Sequence, residues 1–376
     1  MSAVAPDSWP RNAVLIMAGG TGGHVFPALA VADELRRAGQ AVLWLGTPDG
    51  MEARLVANAG LPMAALRVRG LRGKGFVRSL SAPFMLASAL LQAGRILRRA
   101  RPRAVLGMGG FVTGPGGFMA WLLRRPLLIH EQNSIAGLTN RVLAPLATRV
   151  MEAFPGSLPA RLRPLHTGNP VRDAISQVAP PEQRLAGRSG TLRLLVLGGS
   201  LGAQALNDIV PAALAQLPVA KRPDVRHQAG TRHVDAARAA YASAQVEAQV
   251  DAFVDDMAAA YAWADLVICR AGALTIAELT AVGVAAVLVP YPHAVDDHQT
   301  SNARYLVDAG AALLIPQQEL NAARLAELLR DFMAAPGQLA RMASAARRLA
   351  RPEAARTVAE QCLQVAGGPD LRERAA

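Results

Sequence analysis

Residues 14–23 read VLIMAGGTGG and residues 194–202 read LLVLGGSLG. Each stretch is a short apolar run of one strand's length that breaks into glycines and is followed by an amphipathic segment. An apolar run without alternation suits a strand covered on both faces, as in a parallel sheet. The pairs Gly19-Gly20 and Gly198-Gly199 stand 179 residues apart in a chain of 376. That echo predicts an α/β protein of two doubly wound domains, residues 1–168 and 169–376, joined near Thr167 to Val171.

The same rhythm extends outward. A strand over Ala13 to Met17 precedes a helix over Pro27 to Ala38, with Pro27 in its first turn. Ala28, Val31, Ala32 and Leu35 share one face of that helix, opposite Asp33 and Arg37. Further strands are predicted at Ala41 to Leu45, Ala104 to Leu106, Leu127 to His130, Leu194 to Leu197, Leu266 to Cys269 and Ala286 to Val289. Ala104 to Leu123 is twenty uncharged residues, but six glycines and Pro115 make it strand, glycine loop and helix start, not a spanning helix. The Ala/Arg-rich stretch from Leu339 to Val365 reads as one helix, free to pack back on the first domain.

Composition excludes several classes. A 52% hydrophobic chain does not remain disordered. Cys269 and Cys362 lie 93 positions apart with no CxxC or Cys/His spacing, so neither a disulfide framework nor a zinc site is legible, and a reducing compartment fits. The N-terminus lacks the basic and apolar stretches of a signal peptide. The net charge of +12 calls for a polyanionic or anionic-surface partner. With aromatic residues at 4% and no binding motif, that partner is not expected to be nucleic acid.

Three glycine loops follow predicted strands, at Gly19 to Gly23, Gly107 to Gly117 and Gly198 to Gly202. Each can present backbone N–H groups at a helix N-terminus, where phosphate is favoured, or can be a plain tight turn. None fits GxxxxGK[ST] or GxGxxG, which argues against a P-loop NTPase and a dinucleotide oxidoreductase.

The segments GGTGGHVFPALAVADEL, GMGGFVTGPGG, HEQNSIAGLTNR, GNPVR, GGSLGAQALN and CRAGALTIAEL together resemble the MurG family, N-acetylglucosaminyltransferases that convert lipid I to lipid II in peptidoglycan synthesis. The resemblance runs from about Leu15 to Asn302. It implies a GT-B fold, two Rossmann-like domains with a cleft between them. The implied donor is UDP-GlcNAc, held mainly by the second domain, and no cofactor is implied. Ala273, Leu274, Thr275, Ile276 and Ala277 would form the diphosphate helix, and Glu278 would take the ribose hydroxyls. Ser200, Arg172 and Val254 match donor-contacting positions, Val254 through its backbone to uracil. Gln299, in a segment that departs from the family spacing, matches a glutamine on the donor sugar. Asn133 and the loop Thr21, Gly22, Gly23 complete the donor site. On residues alone, Glu278 also reads as a solvated first-turn carboxylate, Arg172 as a surface residue and Val254 as core.

His24 is the candidate base, since an imidazole can take the acceptor hydroxyl's proton; its alternative is a turn-shaping histidine. Arg270 can offset leaving-group charge or pair with a neighbour. Phe111 stands where many relatives carry Tyr, so no hydroxyl contact arises there. No Asp-x-Asp motif is present to hold a metal. The implied reaction is a single displacement with inversion, giving a β-1,4 bond.

The lipid I acceptor that the resemblance implies would place the protein at the cytoplasmic face of the inner membrane. Residues 67–84 (RVRGLRGKGFVRSLSAPF) interleave basic and apolar side chains, and Arg72, Lys74, Phe76, Arg78, Leu80 and Phe84 form the expected anionic-membrane patch. A solvated basic loop is the alternative. Other cell-wall synthesis proteins are further expected partners. Competing functions are a UDP-GlcNAc epimerase and a non-catalytic, membrane-bound nucleotide-sugar binding subunit.

Overall fold

The computed structural model describes residues 9–67, 76–199 and 202–367, with the side chains of 76–82 and 295 outside that description. Among the described residues thirteen strands fall into two sheets, and every recorded strand pair is parallel.

The first sheet contains β1 (Val14–Met17), β2 (Val42–Gly46), β3 (Met63–Ala65), β4 (Ala104–Gly107), β5 (Leu127–Glu131), β6 (Arg149–Glu152) and β7 (Leu165–His166), in the order β3-β2-β1-β4-β5-β6-β7. Val14 pairs with Val42 on one side and Ala104 on the other. Order reverses between β1 and β4, the place where open α/β sheets bind ligands beyond their carboxyl ends. Helices α1 (Gly22–Arg37), α2 (Met51–Asn58), α3 (Phe76–Ala100), α4 (Thr113–Leu122) and α5 (Leu138–Leu143) make the crossovers. Alternate residues of β1 feed opposite cores: Val14 and Ile16 meet Val25, Ala28, Val31 and Leu35 of α1, while Leu15 and Met17 meet Ala93 and Leu97 of α3.

The second sheet contains β8 (Arg193–Leu197), β9 (Asp224–Gln228), β10 (Gln249–Asp251), β11 (Leu266–Cys269), β12 (Ala285–Leu288) and β13 (Ala312–Leu314), in the order β10-β9-β8-β11-β12-β13. It reverses between β8 and β11. The short α6 (Asp173–Ser176) and α7 (Pro181–Arg184) precede it, and α8 (Gln204–Ala215), α9 (Val234–Ser243), α10 (Met257–Trp263), α11 (Ala273–Val282) and α12 (His298–Val307) cross over. In α13 (Ala322–Ala334), Leu325, Ala326, Leu329 and Phe332 recur at helical spacing and are buried in this unit's core.

Two expectations change. α1 begins at Gly22, so Pro27 lies inside the helix and leaves the Gly23 carbonyl without its usual donor. The predicted helix from Leu339 to Val365 is two helices, α14 (Pro336–Arg348) and α15 (Ala354–Ala366). Pro352 has no N–H and disfavours helical backbone at Arg351, which stops the first. Chain contacts divide the protein after Arg172, with Pro352 onward grouped with the first unit and Asp173–Arg351 forming the second. α15 packs on α1 through Val358, Ala359, Cys362 and Leu363, and α14 packs on α11. Val171 is buried, and the Arg172 guanidinium lies 5.3 Å from the centroid of the Phe26 ring, which keeps GNPVR in the first unit.

Gly110 has φ +86°, and a Cβ there would stand 2.3 Å from the Gly19 carbonyl oxygen. Gly190 has φ +95° with open space around it. Gly190→Ala therefore meets only the backbone strain, about 1 kcal/mol, whereas Gly110→Ala adds a backbone clash and loses upward of about 2 kcal/mol. Urea unfolding of the two variants checks the contrast; equal losses would contradict it.

Candidate active site

In the first unit the loops after β1, β4 and β5 meet at the switch point. Thr21 is the N-cap residue of α1 but its side chain caps nothing, so the first-turn donors at Gly22 and Gly23 have no intrahelical partners. The N–H groups of His24 and Val25 turn back to the Thr21 carbonyl. Buried Glu52 shapes this loop, accepting from Gly20 N at 3.3 Å, Thr47 N at 2.9 Å and Thr47 Oγ1 at 2.6 Å. Trp44 donates to the Ala18 carbonyl at 3.0 Å. The Thr113 hydroxyl, 3.0 Å from Met17 O and 2.8 Å from Gly109 O, joins the β1 end to the β4 loop.

His24 lies in that loop cluster. Its ring covers Gly109, where a Cβ would be 2.9 Å from Nδ1 and Cε1. Nδ1 is 3.1 Å from Gln132 Oε1. Gln132 is followed by Asn133, whose N–H and Nδ2 both donate to Glu131 Oε1, at 2.9 and 3.3 Å. The second oxygen of buried Glu131 accepts from Gly137 N and Asn140 Nδ2. Exposed Phe111 stands next to Gly110 and carries no hydroxyl.

In the second unit the corresponding ends are those of β8 and β11. Ser200, in the β8 loop, lies outside the described residues. α11 starts at an extended Gly272 with no side-chain cap. The Ile276 N–H is committed to Gly272 O and its side chain is buried, while Ala277 lies beyond the first turn. The open donors at this terminus are therefore Ala273, Leu274 and Thr275, with Ile276 and Ala277 continuing the same helix.

Glu278 is only 6% exposed, which excludes the solvated reading, and its Oε2 accepts from the Tyr261 hydroxyl at 3.0 Å. Arg270 donates to Val289 O and Pro290 O at 3.1 and 3.2 Å and to Gln317 Oε1 at 2.6 Å, and lies over the Tyr291 ring. No described carboxylate neutralises it, and burial pushes its pKa below the usual arginine value. Gln299 Oε1 accepts from Tyr291 N at 2.9 Å, just beyond Asp296 and Asp297, both left-handed at φ 54° and 51°. Val254 lines a cavity of about 290 Å³ with Phe253, Arg226 and Gln249.

Of the membrane positions, Arg72 and Lys74 lie outside the described residues, as do the side chains of Phe76, Arg78 and Leu80 at the start of α3. Phe84 is 79% exposed. Sequence reading missed that α4, packed on α3, adds exposed Phe118, Trp121 and Leu122. It also missed Gln132 and His130 behind His24, and Tyr261 behind Glu278. The signal for the first pair was present: HEQ at the end of an apolar strand buries three consecutive polar side chains.

Family models match both halves of the chain, the glycosyltransferase family 28 N-terminal domain over residues 14–152 and the C-terminal domain over 193–358. The UDP-N-acetylglucosamine--N-acetylmuramyl-(pentapeptide) pyrophosphoryl-undecaprenol N-acetylglucosamine transferase of Alkalilimnicola ehrlichii is 62% identical over 94% of this chain and 99% of its own. The protein of that name from Nitrosococcus oceani is 60% identical with the same coverage. The crystal structure of Acinetobacter baumannii MurG, 44% identical, covers 94% of this chain and 100% of its own with a TM-score of 0.82. With its two Rossmann-like parallel sheets in the GT-B plan, the chain belongs to glycosyltransferase family 28 and, within it, to the MurG family of N-acetylglucosamine transferases.

Proposed function

We propose that this protein transfers N-acetylglucosamine from UDP-GlcNAc to the C4 hydroxyl of the MurNAc in lipid I, making lipid II for peptidoglycan synthesis. The observation that carries the reading is 62% identity, over 94% of the chain, to an enzyme named for that transfer. Neither a UDP-GlcNAc epimerase nor a non-catalytic binding subunit is favoured by a particular observation.

The chemistry supports it from two directions. In the second unit, the uncapped start of α11 offers Ala273, Leu274 and Thr275 to the diphosphate, with Arg270 as the nearby cation. Preorganised donors at a developing diphosphate stabilise the leaving group without reorganising at the moment of bond breaking. Buried Glu278, already held by Tyr261, suits paired ribose hydroxyls. Val254, Arg172, Ser200, Gln299, Asn133 and the Thr21 to Gly23 loop are assigned to the remaining donor contacts. In the first unit, His24 takes the proton as the acceptor oxygen bonds to C1, and the C1–O bond breaks with its electron pair leaving on UDP. One displacement inverts the anomeric centre.

Glu278→Ala is expected to raise KM for UDP-GlcNAc roughly 10-fold or more with a smaller effect on kcat, reflecting lost uniform binding. His24→Ala is expected to lower kcat by at least roughly 100-fold with donor affinity kept, the range of a general base. Donor titration by calorimetry and steady-state rates with a short-chain acceptor measure both; the opposite pattern would reverse the two assignments.

For the lipid acceptor, no helix among the described residues is long and apolar enough to cross a membrane. The proposed contact is peripheral: Phe84, Leu91, Phe118, Trp121 and Leu122 are exposed on α3 and α4, and Arg124 and Arg125 follow. Apolar side chains at the interface and basic groups on anionic lipid act together. Replacing Phe84 and Trp121 with Ser, or reversing charge at Arg72, Lys74 and Arg78, should reduce co-sedimentation with anionic vesicles and leave turnover of a short-chain soluble acceptor within twofold, roughly, of the parent. Unchanged vesicle binding in both variants would rule out this surface.

A further inference from the structure

We infer that Gln132 and His130 are positioning residues that fix the His24 ring as its Nδ1–H tautomer and so keep Nε2 as the proton acceptor. The inference deepens the reading of His24 as the base and rests on it.

The assignment starts at a group that can only accept. His130 is fully buried, and its Nε2 lies 3.0 Å from the Gly168 carbonyl oxygen. A carbonyl accepts, so Nε2 carries the hydrogen. The nearby Thr167 hydroxyl, 3.1 Å from Nε2, directs its own hydrogen toward Gly168 O at 2.9 Å, leaving its oxygen as a second acceptor for the same N–H.

Burial holds the His130 pKa down to about 4, so the ring is neutral near pH 7 and Nδ1 has a lone pair. Gln132 Nε2 lies 3.2 Å from that Nδ1, 3.2 Å from His130 O and 3.8 Å from Met108 Sδ. All three are acceptors. Turning the amide over would set its oxygen against three acceptors in a buried place, which is costly. Hence Oε1 faces His24, and at 3.1 Å it accepts from His24 Nδ1–H.

In the neutral ring the hydrogen is then on Nδ1, and Nε2 has no hydrogen-bond partner among the described residues. Among the described residues, Gln132 from the loop after β5 is hydrogen-bonded to the ring and the Gly109 backbone from the loop after β4 lies against it. The titratable side chain recorded in this relay behind His24 is His130, whose neutral form the relay requires.

In the transfer, the attacking hydroxyl's proton moves to Nε2 while its oxygen bonds to C1 and UDP leaves with the C1–O electron pair. The imidazolium later returns the proton to solvent. An apolar residue at 132 would release the ring.

The test combines ring-nitrogen NMR with kinetics on the full chain. Long-range 1H–15N correlation of the unsubstituted protein is expected to show the hydrogen of the neutral His24 ring on Nδ1. Hydrogen on Nε2 would overturn the inference regardless of activity. Gln132→Leu is expected to lose roughly 10- to 100-fold in kcat with KM for UDP-GlcNAc within about twofold, and to shift His24 toward the Nε2–H form. Full activity in Gln132→Leu contradicts the relay. Full activity in His24→Gln removes the base reading itself, and with it the relay's catalytic role, a failure distinct from a wrong tautomer.

Discussion

The loops after β1 and β4 approach so closely that only glycine is accommodated between them. A Cβ on Gly110 would fall 2.3 Å from Gly19 O, and one on Gly109 would meet the His24 ring. These loops leave the sheet where its strand order reverses, and so diverge from each other into helices on the sheet. His24 has its place because both ends are fixed here: Met108 N donates to Met17 O at 2.9 Å, and Thr113 bridges the same two loops. The second sheet repeats the constraint around Gly198 and Gly202, where added Cβ atoms would strike the carbonyls of Gln228 and Ala229 at 2.9 and 2.4 Å.

Among the described residues of the first unit, three carboxylates at the carboxyl side of the sheet are buried without a cation in their recorded contacts. Glu52 holds the β1 and β2 loops, Glu131 the β5 loop, and Glu152 accepts from Gly156 N, Ser157 Oγ and Leu158 N at 3.0, 3.0 and 3.2 Å. A buried charge is tolerated when several donors surround it, and such charge-assisted bonds are stronger than neutral ones. Hydrogen bonds to Glu52 and Glu131 tie the neighbouring loops together beside the His24 ring and the N–H groups at the start of α1. The expense of desolvation is offset by geometry needed at the site.

Legibility in the sequence followed the physics of burial. The central strands β1, β2, β4, β5, β8, β11 and β12 are apolar because both faces are covered, and their runs were readable. Arg149–Glu152, Asp224–Gln228 and Gln249–Asp251 lie away from the sheet centres and carry charged or polar residues, so no apolar run marked them. The glycine loops, His24, Asn133 and the start of α11 were visible through motif and resemblance. Gln132, His130, Glu52 and Tyr261 were not singled out, because their roles depend on partners as distant in sequence as His24 is from Gln132. Trp121 became informative once α4 was seen to leave it exposed beside α3. Pro352 was present in the sequence, but the long Ala/Arg periodicity around it masked the break it imposes.

One chain couples UDP departure to sugar transfer onto a lipid-linked acceptor, and this coupling is open to measurement. Its most direct measurement is UDP release from UDP-GlcNAc with and without a short-chain lipid I analogue, with mass analysis of the lipid product. UDP release is expected only with acceptor present, together with a product heavier by one N-acetylhexosamine for each UDP formed. UDP release without acceptor, or donor binding with no release when acceptor is added, would contradict it.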